Sequence, residues 1–147
     1  MINEVTVSPD VLASDLRPVV LRLARGLRKE TEQVGITARQ ATLMWLIKRN
    51  PGLSLAELAA EEDISPPALS GHVDRLEAAG LVARSRSETD RRRVGLRLTE
   101  AGEQLLRRIR ARRTTWLAAR TRSLEPEELE AIEAALPALR RLLGDDS

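Results

Sequence analysis

Residues 54–80 read SLAELAAEEDISPPALSGHVDRLEAAG, and no other stretch restricts the fold so tightly. Ser54 with Glu57 three residues on is a capping-box signature, so a helix opens there. It turns Leu55, Leu58 and Ala59 inward and gives out at about Glu62. A second helix follows at once. Ser65 is its N-cap, and Pro66 takes the first helical position, where a missing N–H costs nothing. Only Asp63 and Ile64 are left to turn the chain. Leu69, Val73 and Leu76 mark the buried face of the second helix, which stops at about Ala79 before Gly80, a good C′ residue. A helix of about two turns is marginal alone. The two must pack on each other across a tight turn, which is a helix-turn-helix.

After Gly80 the period of the apolar residues changes. Residues 82–87 and 93–98 read as two short strands, with Val94, Leu96 and Leu98 on one side and Arg93, Gly95 and Arg97 on the other. The polar stretch 87–92 lies between them. Upstream, Ser14 or Asp15 can cap a helix running to about Gln33 and stopped by Gly35. Pro18 would then lie in its first turn, and Leu16, Val20, Leu23 and Leu27 on one face. Thr37 with Gln40 is another capping box, opening a helix to about Arg49 that Asn50, Pro51 and Gly52 end. Downstream, Thr99 caps a long helix to about Arg122. A last helix has Pro126 at its first position, Leu124 and Leu129 as a hydrophobic staple, and Pro137 where it should kink. The expected fold is mainly α with a small β-hairpin. Its parts are an N-terminal helix (1–36), a winged helix-turn-helix domain (37–98) and C-terminal helices (99–147).

Composition narrows the chemistry. The 147 residues contain no cysteine and one histidine, His72, which leaves no disulfide framework, thiol sensor or multi-histidine zinc site. No cofactor and no metal are expected. Two tryptophans are the only aromatics, so the core must be aliphatic. Nothing resembles a signal peptide or a membrane span, and a soluble, cytoplasmic protein without membrane contact is expected. Lys plus Arg number 24 against 22 Asp plus Glu, a net charge of +2. A basic footprint for a polyanion must therefore be local.

Such a footprint exists. The outer face of the second helix carries Pro67, Ala68, Ser70, Gly71, Asp74 and Arg75, small at first and basic further on. A helix entering a major groove needs small residues where the groove wall is close. Ser70 can donate to a base edge or a phosphate, and Arg75 can reach a phosphate or a guanine. From residue 84 to 93 five arginines (84, 86, 91, 92, 93) face Glu88 and Asp90, a local +3. A narrow minor groove attracts inserted arginine, and phosphates neutralise the crowded charge. Asp90 can aim one neighbouring guanidinium through a bidentate pair. Any amphipathic helix has a polar face, and a charged hairpin tip can be a solvated turn; it is their order along the chain that favours double-stranded DNA.

The stretches LAELAAEEDIS, LSGHVDRLEAAGLVAR and TDRRRVGLRLTEAG resemble the MarR family of bacterial transcriptional regulators, and the resemblance extends over nearly the whole chain. It implies that residues 65–75, Ser65 included, read the major groove. It implies too that Arg92 enters the minor groove and that Asp90 orients the wing beside Arg91 and Arg93. Gly71 departs from the longer, often basic residue common at that place. The family is dimeric through its first and last two helices. The sequence supports this on its own: Leu129, Ile132, Leu136, Leu139 and Leu143 form a narrow seam suited to a partner helix. Leu16, Val20 and Trp116 join that candidate homodimer surface, with intramolecular packing as the other reading. Many relatives release DNA when a small, often aromatic acid binds. Leu27, Trp45 and Trp116 are the candidate pocket for a small aromatic or apolar effector, although each tryptophan also suits core or interface. The absence of cysteine speaks against the peroxide-sensing branch. Arginines 107, 108, 110, 112 and 113 read as a solvated face, and His72 as a structural histidine. A winged helix used only for protein–protein contacts would not need a basic wing. An enzyme would need a nucleophile with a base nearby, which is not apparent.

Overall fold

A computed structural model describes residues 6–86 and 94–144. The order is α1 (Pro9–Glu32), α2 (Ala38–Arg49), α3 (Leu55–Glu62), α4 (Pro66–Ala78), β1 (Val82–Arg86), β2 (Val94–Leu98), α5 (Glu100–Thr121) and α6 (Pro126–Leu142). The chain forms two compact units that divide between Arg113 and Thr114. No helix among the described residues is long and apolar enough to cross a membrane.

The first unit is built as the capping signals dictate. Thr37 and Gln40 complete a capping box at the start of α2: the Gln40 N–H donates to Thr37 Oγ1 at 3.1 Å and the Thr37 N–H to Gln40 Oε1 at 3.0 Å. At α3 the Glu57 N–H donates to Ser54 Oγ at 3.2 Å. Asp63 ends α3 in the left-handed region (φ 50°), and three residues later α4 begins at Pro66. Ser65 stands at the N-cap of α4 but makes no capping bond with its side chain. The core is aliphatic, with Leu43, Met44 and Ile47 of α2, Leu58 of α3, Leu69, Val73 and Leu76 of α4, Val82 and Leu96 of the hairpin, and Leu105 and Ile109 of α5. Truncating one such leucine to alanine costs about 2–5 kcal/mol.

Two expectations are corrected. First, α1 starts at Pro9, with Ser8 at the N-cap, so Pro18 lies well inside the helix rather than in its first turn. Pro9 at the first position provided an earlier start signal than Ser14 or Asp15. Second, β2 does not alternate as read. Val94 is 40 % exposed, whereas Gly95 is buried. The cause is the segment 52–54, which pairs antiparallel with β2. The Gly52 N–H donates to the Leu96 carbonyl and the Leu96 N–H to the Leu53 carbonyl, each at 3.0 Å, and Ser54 bridges to Gly95. The Gly52 backbone lies directly on Gly95, which must therefore lack a side chain. β1 and β2 pair antiparallel, with Val82 opposite Leu98, Arg84 opposite Leu96 and Arg86 opposite Val94.

In the second unit α6 begins at Pro126, and the Glu125 N–H donates to Glu128 Oε1 at 3.1 Å. The helix continues through Pro137 and buries none of its residues within this chain.

Candidate nucleic-acid interface

α4 turns Leu69, Val73 and Leu76 into the core and leaves its other side open. Ser65, Pro67, Ala68 and Arg75 are exposed, and Ser70 and Gly71 are half-buried. A Cβ added at Gly71 would meet nothing within 4 Å, so the centre of this face is open rather than a packed contact. The side chains expected to read DNA thus share one accessible helix face. His72 sits at its flank, half-buried, with Nδ1 lacking a hydrogen-bond partner among the described residues.

The hairpin flanks that face. β1 packs on α4, and pleat parity puts Val82, Arg84 and Arg86 on one side of the strand. Val82 enters the core. Arg84 therefore leans towards α4, where its Nη2 donates to Asp74 Oδ1 at 2.7 Å and its Nε lies 3.5 Å from Glu77 Oε2. A guanidinium read from sequence as a DNA contact is thus engaged by two carboxylates of α4. Arg86, at the outer end of β1, is exposed. Asp90, Arg91, Arg92 and Arg93 lie outside the described residues.

The far ends of helix and hairpin are knotted together. Thr99 Oγ1 donates to the Gly80 carbonyl at 2.6 Å and accepts from the Gly102 N–H at 3.1 Å, while the Thr99 N–H donates to the Leu81 carbonyl at 3.1 Å. One residue thus closes α4, finishes β2 and caps α5. Sequence reading found the cap but not the bond to Gly80. Glu77, Gly52 and Gly95 were missed as parts of the site, and Asp74 was placed on the outer face without its Arg84 partner, because these roles depend on segments far apart in the chain.

Comparison with known proteins agrees with this geometry. The family model described as "MarR family" matches residues 36–94. The HTH-type transcriptional regulator YfiV of Bacillus subtilis, itself uncharacterised, is 31% identical over 114 residues, 78% of this chain and 71% of its own. The chain belongs to the MarR family. It is accordingly a winged helix-turn-helix transcriptional regulator. The HTH-type transcriptional repressor MdtR of Bacillus subtilis is 29% identical over 83% of this chain and 81% of its own. The solved structure of RV1404 from Mycobacterium tuberculosis superposes with a TM-score of 0.82 at 27% identity, covering 97% of this chain and 98% of that one.

In this MarR family chain the α5 arginines are not a uniformly solvated face, contrary to the sequence reading. Arg113 is half-buried and donates through Nε, at 2.9 Å, and Nη2 to the hydroxyl of Thr31, which is fully buried on α1. Burial pushes the Arg113 guanidinium below its usual pKa range. Arg112 Nη2 pairs with Glu30 Oε2 at 3.0 Å. Arg110 stacks 5.3 Å from the centroid of the Trp45 ring, with Lys48 Nζ 6.0 Å away on the same ring. Arg107 and Arg108 line a surface groove of about 560 Å³ with Leu81, Ala101, Gln104 and Ala111. That groove does not include the expected effector residues. Of these, Leu27 is half-buried, Trp45 is 39 % exposed, and Trp116, in the second unit, is half-buried with Arg120 stacked 3.6 Å from its centroid.

The residues expected at a dimer surface are largely uncovered. On α1 Leu16 is half-buried and Val20 is exposed, as are Val11, Leu12, Val19 and Leu23. On α6 Leu129, Ile132, Leu136 and Leu139 are about two-fifths exposed, and Leu143 lies bare just past the helix end.

Proposed function

We propose that this chain is a dimeric, sequence-specific repressor that binds a near-palindromic operator and leaves it when a small aromatic or apolar effector binds. The observation that carries the reading is the outer face of α4. Its small residues stand clear beside a basic strand, while the opposite face is fully buried. Such a face fits a major groove, with the wing arginines reaching the adjacent minor groove. The dimer reading rests on the leucine seam of α6, an apolar stripe that stays about two-fifths exposed among the described residues. MdtR, by its name a repressor, supports the sign of regulation. Trp45, an exposed aromatic between two cations, supports an effector with an acidic or aromatic group.

The test is selection of bound sites from random double-stranded DNA by the purified full-length chain, repeated with candidate aromatic acids. Near-palindromic sites with half-site centres about 10 bp apart, lost on addition of a ligand, are expected. Retention of DNA without any sequence preference would refute the sequence-specific reading.

A further inference from the structure

The carboxylate of Asp74 is out of place on a face meant for a polyanion. It lies one turn beyond Ser70 and Gly71, next to Arg75, with its side chain 61% exposed. An acid there would repel phosphates and weaken binding unless it has a use and a counter-charge. The counter-charge is present. Arg84 reaches across from β1 and holds one oxygen, Oδ1, at 2.7 Å, while its Nε lies 3.5 Å from Glu77. Oδ2 is left without a partner among the described residues. The open space at Gly71 lets a base edge come close on the same side.

We infer that Asp74 is a specificity-determining residue that accepts a hydrogen bond from the exocyclic amino group of a cytosine in the major groove, with Arg84 as the residue that positions it. A carboxylate only accepts, so of the four base edges it matches the N4 amino group of cytosine and the N6 amino group of adenine. On adenine the neighbouring N7 is an acceptor that repels it. Cytosine is therefore the better match. Arg84 cancels the charge that would push phosphates away, and by engaging Oδ1 it leaves Oδ2 to accept from the base. This inference rests on the DNA-binding reading above, and the experiment separates the two.

The base-preference profile of the full-length chain is measured by selection from random duplexes and compared with those of Asp74→Asn, Asp74→Ala, Arg84→Ala and Arg84→Lys. Salt titrations on operator and random DNA accompany each, and thermal unfolding confirms that each variant folds. With the native chain one cytosine position per half-site is expected. Asp74→Ala should lower discrimination there by about tenfold and leave the other positions unchanged. Asp74→Asn, which offers both a donor and an acceptor, should move the preference from cytosine to adenine. Arg84→Ala should blur the same position while keeping the salt slope, and Arg84→Lys should restore it in part. If Asp74→Ala leaves every position unchanged and tightens operator and random DNA equally, the carboxylate is only a repulsive group held by a clamp, and the inference is wrong. If Arg84→Ala instead lowers the salt slope by about one per subunit with an intact profile, Arg84 is a phosphate contact and the positioning role is wrong. A native chain without base preference would overturn the proposed sequence-specific binding itself, and this inference with it.

Discussion

Three glycines separate what packing requires from what a ligand could require. A Cβ at Gly102 would lie 2.2 Å from the Leu81 carbonyl oxygen, and one at Gly95 would lie 2.5 Å from that of Gly52. Both obstacles are backbone, which cannot swing aside. Gly102→Ala and Gly95→Ala are each expected to destabilise the fold by about 1–3 kcal/mol in urea unfolding. Gly71 is the control. It is helical with open space around it, so Gly71→Ala should stabilise α4 by about 0.5–1 kcal/mol through the helix preference of alanine. If Gly71→Ala raises stability and lowers operator affinity together, the space is used by DNA. A rise in stability with affinity unchanged would place the groove floor elsewhere. Arg113 adds no pH dependence near neutrality. Its pKa is lowered by burial, so folding disfavours its charged form, and that cost is relieved only as the pH rises through the lowered pKa in strong alkali.

Thr99 decides how two elements and a hairpin hold together. Thr99→Ala removes the cap of α5 and leaves the Gly80 carbonyl without its donor. A loss of about 1 kcal/mol from the cap alone is expected, and more if the carbonyl stays dry. Thr99→Ser keeps both bonds and should recover most of the stability. If both variants unfold at the same urea concentration as the native chain, Thr99 is not a structural knot. The wing carries the complementary prediction. Arg92→Ala should weaken operator and random DNA alike and flatten the slope of log affinity against log salt by about one unit per subunit. Asp90→Ala should act in the same direction but more weakly, since it removes the aim and keeps the charge. An unchanged slope and unchanged affinities for Arg92→Ala would mean that the wing does not touch DNA.

At the scale of the whole molecule, the proposed dimer accounts for the exposed apolar residues of α6. α6 has apolar residues at helical spacing and buries none of them, a pattern that in water is stable when another copy covers it. Sedimentation at micromolar concentration should give a dimer, and removal of residues 124–147 should give a monomer or an aggregate. A full-length chain that sediments as a monomer at those concentrations would refute the dimer. Ile132→Asp, in the middle of the stripe, should shift the equilibrium to monomer without unfolding the winged helix.

What the sequence determined by itself is local. Thr37 with Gln40, Ser54 with Glu57 and Pro66 after Ser65 act within three residues of themselves, so the starts of α2, α3 and α4 were legible from the capping chemistry alone. The apolar period of 3.6 located the core face of α4 for the same reason, whereas the period of 2 misplaced Val94 and Gly95 in β2. The start of α1 was misjudged because two overlapping start signals compete there, and helix length is settled by what extends rather than by the best cap. The rest needed tertiary structure. Gly95 is buried because Gly52, more than forty residues earlier, folds onto β2. Arg113 leaves solvent because Thr31 of α1 comes to lie beside it. Arg84, though still exposed, reaches Asp74 because β1 doubles back onto the helix that precedes it. Periodicity records which side of an element is apolar. It cannot record which distant carboxylate, hydroxyl or backbone carbonyl will stand opposite, since that is fixed only when the chain closes.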